Sequence, residues 1–285
     1  MIDWDNKDEV LKNIREDSWN LEYVSDRLKD DKEVVLEAVK NKGIVLRYAS
    51  TRLKDDENVV MVAFNNDKSI LEWASDRFKN NKDLVLEAVK ANGYLLMYAS
   101  PALRNDKEVV MEAIKEDIFS LQFASNRLKA DRDIALEIVK KNGKILKYTQ
   151  DIKKDDNIIS GFNLKLPSYF TEDKEIVLEA VKREGNSIKY ASDEFKSNKD
   201  IAMVAVKSWG GSLQYLSKEL RNDPEIVIEA IKNRESSYIY AGKEIKEKYP
   251  LLKDFKESFN KKTKSKEITK EKTTRSRSRS KGNER

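Results

Sequence analysis

The chain has 285 residues, 38% of them charged, a net charge of +5, and neither cysteine nor histidine. That composition excludes disulfides, thiolate or imidazole zinc sites, thiol nucleophiles and histidine acid–base catalysis. The positive balance belongs to one end: residues 261–285 hold eleven Lys or Arg against three Glu, so the remainder is slightly acidic and gives no reason to expect a nucleic-acid groove along the body.

Met1 to Asp5 precede the first regular segment, and Ile2 and Trp4 are suited to cover an open end of a stack. The opening MIDWDNKDEV is acidic and lacks the basic and apolar regions of a secretory signal, and no apolar run approaches membrane-spanning length. The protein is therefore expected in the cytosol or nucleus, of its own cell or of a host, not secreted and without membrane contact.

From Asn6 onward, equivalent residues recur every 25 positions at Asn6, Asp31, Asp56, Asn81, Asp106 and Asp131, and the pattern resumes at Asp173, Asn198 and Asp223. A fixed short period marks a stacked array in which each unit is too small to bury its own apolar face. The stretch Asp31 to Asp55, DKEVVLEAVKNKGIVLRYASTRLKD, shows the parts. Its first residue reads as a helix N-cap with an acid in the first turn, and Pro224 after Asp223 suits a first helical position. Val34, Val35, Leu36, Ala38 and Val39 form an apolar stripe on a helix of about eleven residues. Gly43, Gly93, Gly143, Gly185 and Gly210 share one column beyond it, where a left-handed residue would end the helix. Leu46, Tyr48, Ala49, Ser50 and Leu53 then recur as Leu96, Tyr98, Ala99, Ser100 and Leu103, and Ser100 followed by Pro101 reads as a second cap. A very short third helical piece should carry Leu53 or Leu103 into the core. The fold expected is all-α, an α-solenoid of 25-residue repeats with one longer helix, one short helix and a helical turn in each.

The pattern DKEVVLEAVKxNGxxLxYASxxLRND resembles an uncharacterised bacterial, protist and large-virus repeat family known only as a domain of unknown function. The resemblance covers roughly Asn6 to Lys246. It implies the repeat fold and carries no activity, cofactor or site with it. Abundant Lys, Asn and Ile fit AT-rich coding, as in some protists, their viruses and bacterial parasites.

The expected segments are a cap at 1–5, a first repeat stack at 6–155, a short degenerate repeat at 156–172, a second stack at 173–247, a closing helix at 248–260 and a disordered basic tail at 261–285. The register decays at Tyr148, Thr149, Gln150 and Lys153, and the next segment contains Gly161 and Pro167. It reads either as a decayed unit keeping Leu164 and Leu166 in the core or as a bend. Leu251, Leu252, Phe255 and Phe259 follow Pro250 at helical spacing.

In an array, a column that varies without structural cause is the best functional clue. The basic column Lys29, Lys54, Lys79, Arg104, Lys129 and Lys154 sits near helix ends, where the dipole favours cations. A second column changes sign, from Arg27, Arg52, Arg77 and Arg127 to Glu194, Glu219 and Glu244. The Arg stripe is a candidate surface for an acidic partner; the plainer reading is a solvated face pairing locally with Asp26 or Asp76. A third column holds Trp19, Ile44, Tyr94 and Phe119, then Lys144, Asn186, Gly211 and Ser236, and reads as an exposed binding strip or as filling between units. The aromatic column from Tyr23 to Tyr240, with Trp73 and Phe123 substituted, reads as core. In the tail, Arg275, Ser276, Arg277, Ser278, Arg279 and Ser280 alternate, a pattern that could bind phosphates weakly and be phosphorylated.

These readings point to a non-enzymatic helical-repeat scaffold or adaptor for a protein partner, with no cofactor and no metal. The alternative is a nucleic-acid-associated protein binding RNA or DNA through the RS-like tail. An enzyme is not expected, because nearly all Asp, Glu, Lys and Tyr recur at positions a helix already explains.

Overall fold

The computed structural model describes residues 2–149 and 167–261. They fall into two compact units, 2–134 and 135–149 with 167–261. Among the described residues every regular element is helical.

Each repeat opens with a ten-residue α-helix: Lys7–Glu16, Lys32–Asn41, Glu57–Asn66, Lys82–Ala91 and Lys107–Glu116 in the first unit, and Lys174–Arg183, Lys199–Ser208 and Pro224–Asn233 in the second. The Asp or Asn before each helix is its N-cap, as with Asp31, whose Oδ1 accepts from Glu33 N at 3.0 Å and Val34 N at 3.2 Å. Such a cap contributes about 1 kcal/mol. A 3-10 helix follows, Gly43–Tyr48 for example, and then a short piece led by the column serine, whose hydroxyl accepts from the amide three residues on at Ser25, Ser50, Ser100 and Ser125. That piece is a four-residue α-helix at Asp26–Lys29, Asp76–Lys79 and Asn126–Lys129, and a 3-10 turn at Leu53–Asp55 and Leu103–Asn105. Leu53 and Leu103 are buried, as the repeat pattern requires.

No glycine in the Gly43 column adopts a left-handed conformation, contrary to the sequence expectation; the cause is closeness. A Cβ on Gly43 would lie 2.3 Å from the Ala63 carbonyl oxygen of the next long helix, and Gly93 stands the same way to Ala113. The missing side chain lets a 3-10 helix rest on a helical backbone, and Gly43 N donates to Asn66 Oδ1 at 2.8 Å. In the second unit Gly143 meets the Ala180 carbonyl, so the helix next to it is Lys174–Arg183. Residues Ala135 to Thr149, which follow the repeat start at Asp131, belong to the second compact unit. Gln150, Lys153, Lys154, Gly161, Leu164 and Leu166 lie outside the described residues.

Two ladders not foreseen join successive repeats. The second residue of a repeat reaches the N-cap of the next: Lys7 to Asp31, Lys32 to Asp56 and Lys82 to Asp106 at 2.8 Å, Lys107 to Asp131 at 2.9 Å, and Lys199 to Asp223 at 2.7 Å. Where that lysine is replaced by Glu57, the next N-cap is the uncharged Asn81. The second ladder is backbone. Ser25 N donates to Trp4 O, Lys29 N to Ser25 O, Ser50 N to Lys29 O, Lys54 N to Ser50 O, and so on through Ser75, Lys79, Ser100, Arg104 and Ser125 to Lys129, every link between 2.9 and 3.2 Å.

At the chain's start Trp4 packs on Tyr23 with ring centroids 5.8 Å apart, while Ile2 is exposed. The closing helix spans 252–261 and buries Phe255 against Tyr238 and Tyr249; Leu251 falls before it and is exposed.

Candidate partner surface

The sign-changing column sits at the repeat junctions. Arg52 Nε donates to Asp30 Oδ1 at 3.0 Å and its Nη2 to the Asp30 carbonyl at 2.5 Å. Arg27 holds Asp5 and Arg77 holds Asp55 in the same two-pronged way, and Arg127 holds Asn105. The column serines share these acceptors: Ser25 donates to Asp5, Ser50 to Asp30 and Ser75 to Asp55. The serine hydroxyl and then the guanidinium hold the Asp5, Asp30 and Asp55 carboxyls below the usual carboxylate range. The local partners are thus not Asp26 and Asp76, as the sequence suggested, but the residues ending the preceding repeat.

In the second unit the residues facing this column change, and so does the column. Asn222 Oδ1 accepts from the backbone N–H of Glu244 at 3.1 Å and of Ile245 at 3.4 Å, so no guanidinium is needed there. The Glu219 carboxyl is lowered by its own backbone N–H and by the Ser217 hydroxyl. Glu194 is exposed on Asp193–Lys196.

The aromatic columns meet on the outer face of the 3-10 helices. Trp19, Ile44, Tyr94 and Phe119 are half-buried. Trp19 stands edge-on to Tyr48 of the next repeat at 6.3 Å, and Tyr94 likewise to Phe123 at 5.7 Å. The Arg47 guanidinium lies 4.6 Å from the Tyr48 ring centroid and 5.5 Å from that of Trp19. The column from Tyr23 to Tyr240 is not core: Tyr48, Trp73, Tyr98, Phe123, Tyr190 and Tyr215 are half-buried and Tyr23 is 62% exposed. These rings occupy the last turn of each 3-10 helix, where the leucine two positions earlier already fills the interior; Leu21, Leu46, Leu71, Leu96 and Leu121 are fully buried. One surface in the first unit therefore carries Trp19, Tyr23, Ile44, Tyr48, Trp73, Tyr94, Met97, Tyr98, Phe119 and Phe123. In the second unit the Trp19 column holds Asn186, Gly211 and Ser236, and the Trp209 ring covers Gly211.

Among the described residues no group of three or more His, Cys, Asp or Glu is arranged to hold a metal ion, and no helix is long and apolar enough to cross a membrane. A family model described as a domain of unknown function, DUF4116, matches residues 6–54, 56–104, 106–158, 173–218 and 198–246. The chain belongs to the DUF4116 family. A search of curated proteins and a search of solved structures find no match.

A DUF4116 unit spans two of the 25-residue repeats read from the sequence. The structure gives that pairing a physical basis in the first unit. Glycine opens the 3-10 helix in alternate repeats, at Gly43 and Gly93, in place of Ser18, Lys68 and Ile118; Asp17, Asp67, Asn92 and Asp117 each cap theirs, accepting from Trp19 N, Ser69 N, Tyr94 N and Phe119 N. In the second unit glycine stands in consecutive repeats, Gly185 and Gly210, and there the DUF4116 matches overlap. The basic column was legible as a ladder in the sequence; that its described members in the first unit, Lys29, Lys54, Lys79, Arg104 and Lys129, enter no ion pair was not. The second-position lysines were missed, although Lys recurring 24 residues before an Asp N-cap was a visible signal.

Proposed function

We propose that this DUF4116 protein is a non-enzymatic scaffold that presents the aromatic face of its first unit to a protein partner, inside the cell. One observation carries the reading: a half-exposed ring stands in every repeat from Tyr23 to Phe123, and the neighbouring column adds Trp19, Tyr94 and Phe119. Large amphipathic rings are the usual anchors of protein interfaces, and a repeat array arranges them along a line. Asp31, Asp56, Asp106 and Asp223 each cap a helix and bind a lysine, so these repeated acids already have structural work.

The test is affinity purification from the native host with wild-type protein and with a Trp19→Ala, Tyr48→Ala, Tyr94→Ala variant whose helical content is checked by circular dichroism. The reading expects a stoichiometric protein partner that the variant loses. Full retention by the folded variant would overturn it. Binding of RNA or DNA through Arg275, Ser276, Arg277, Ser278, Arg279 and Ser280, which lie outside the described residues, is the competing outcome and would be lost on deleting 262–285.

A further inference from the structure

Among the described residues, the first unit's members of the basic column that the helix dipole was expected to explain have no counter-ion. Seven other cations of the first unit are paired across junctions, Lys7, Lys32, Lys82 and Lys107 on N-caps and Arg27, Arg52 and Arg77 on Asp5, Asp30 and Asp55; Lys12 and Lys90 enter no ion pair among the described residues but are exposed. Lys29, Lys54, Lys79, Arg104 and Lys129 enter no ion pair among the described residues, although all five are half-buried. The Arg104 Nε atom is fully buried without a hydrogen-bond partner.

A helix dipole does not account for them. The elements they end are four-residue helices or three-residue turns, too short to build a sizeable partial charge. The carbonyls of Lys29, Lys54, Lys79 and Arg104 are each already occupied by the serine amide of the next repeat. Those same bonds place the five residues one per repeat along a continuous backbone chain. Burial holds the Lys54 amine below its usual range, and burial together with the Arg104 charge does so at Lys129. In the second unit two of the three equivalents are engaged, Lys196 with Asp193 at 3.2 Å and Lys246 with the Ile239 carbonyl at 2.5 Å, while the Nε of the third, Arg221, is buried without a partner as at Arg104.

We propose that Lys29, Lys54, Lys79, Arg104 and Lys129 form a track for an extended acidic segment of a partner protein. A line of like charges, partly removed from water and left uncompensated, is relieved by an anion laid along it. Packed helices stand about 8 to 10 Å apart, and an extended chain rises about 3.3 Å per residue. An acid at every third residue therefore meets successive rungs, and roughly thirteen residues span all five. Charge argues against a nucleic acid: residues 2–134 carry 27 acidic against 22 basic side chains, so a closely spaced phosphate chain would meet net repulsion beside a track one cation wide. The track uses none of the residues of the aromatic face, and the two stand or fall independently.

The probe is a labelled peptide of five Glu-Gly-Ser units, titrated by fluorescence anisotropy into the full chain at low salt. The expected result is saturable binding, weakened at least tenfold by Lys29→Gln, Lys54→Gln, Lys79→Gln, Lys129→Gln together and unchanged by the Trp19, Tyr48, Tyr94 alanine variant. Equal binding to the glutamine variant would overturn the track. Tighter binding of single-stranded RNA through the same lysines would overturn the partner class. If the glutamine variant does not fold, the pKa of the Lys54 and Lys129 amines in the wild-type chain, read by NMR of the dimethylated lysines, decides. The track requires saturating peptide to raise both, and no change refutes it.

Discussion

A Cβ added to Gly43 would stand 2.3 Å from the carbonyl oxygen of Ala63, a backbone atom in the middle of the next repeat's long helix. That oxygen already accepts the Asp67 amide at 2.8 Å, so it cannot swing away without opening the end of the helix. Gly43→Ala and Gly93→Ala should each destabilise the protein by about 1 to 3 kcal/mol, the range for overpacking a close contact. Urea denaturation followed by far-UV circular dichroism measures this; a midpoint equal to wild type would show that the junction is looser than described.

The Lys32 to Asp56 contact joins two repeats, yet Asp56 also caps its own helix through Val59 N at 3.1 Å. Asp56→Ala is therefore expected to cost about 1 kcal/mol or more, chiefly through the lost cap. Lys32→Ala should cost less, because pairs this exposed contribute about 0.2 to 1 kcal/mol. A double-mutant cycle isolates the pairwise part, and a coupling energy above about 1 kcal/mol would contradict the assignment of most of the effect to the cap.

Acid should loosen the array. The folded-state pKa values of Asp5, Asp30, Asp55 and Asp56 lie below the ordinary 3.8, with a serine hydroxyl or Lys32 as the largest cause. At Asp31, Asp106, Asp131 and Asp223 burial opposes the shift, and the lysine and backbone N–H bonds outweigh it. Groups depressed in this way contribute stability that is complete above the unfolded value and is lost as pH falls through the folded values. Lys7, Lys82, Lys107 and Lys199 are raised by the same partners, so their contribution is complete below 10.5 and lost above it. Thermal melts should show a plateau near neutrality with falls at both extremes; a melting temperature rising from pH 5 to pH 3 would contradict the ladder.

Excising residues 56–105 in frame should leave a folded, shorter first unit. Asp106 would replace Asp56 as the N-cap partner of Lys32, Arg127 would meet Asp55 in place of Asn105, and Gly43 would rest on Ala113 in place of Ala63. Excising 56–80 alone would set Lys32 against the neutral Asn81 and place the Gly43 and Gly93 repeats in succession. The two-repeat deletion is expected to melt cooperatively and above the one-repeat deletion, as nearest-neighbour stacking requires. Loss of all helical signal on removing the pair would rule out a stack.

The repeat length, the N-caps and the buried stripe were legible from Asn6 to Asn233 because each depends on neighbours within one helix, where a short polar side chain and a 3.6-residue apolar period act locally. Contacts 20 or more residues away in the chain were not. The glycine column was visible, but its cause is the Ala63 backbone next door; the aromatic column was visible, but Leu46 had already taken the interior. Arg52 and Lys54 are two residues apart and alike in charge, and nothing in composition separates them. Only the stacking of repeats brings Asp30 to the first and no acid to the second, because a side chain's counter-ion is chosen by the neighbour the tertiary fold supplies.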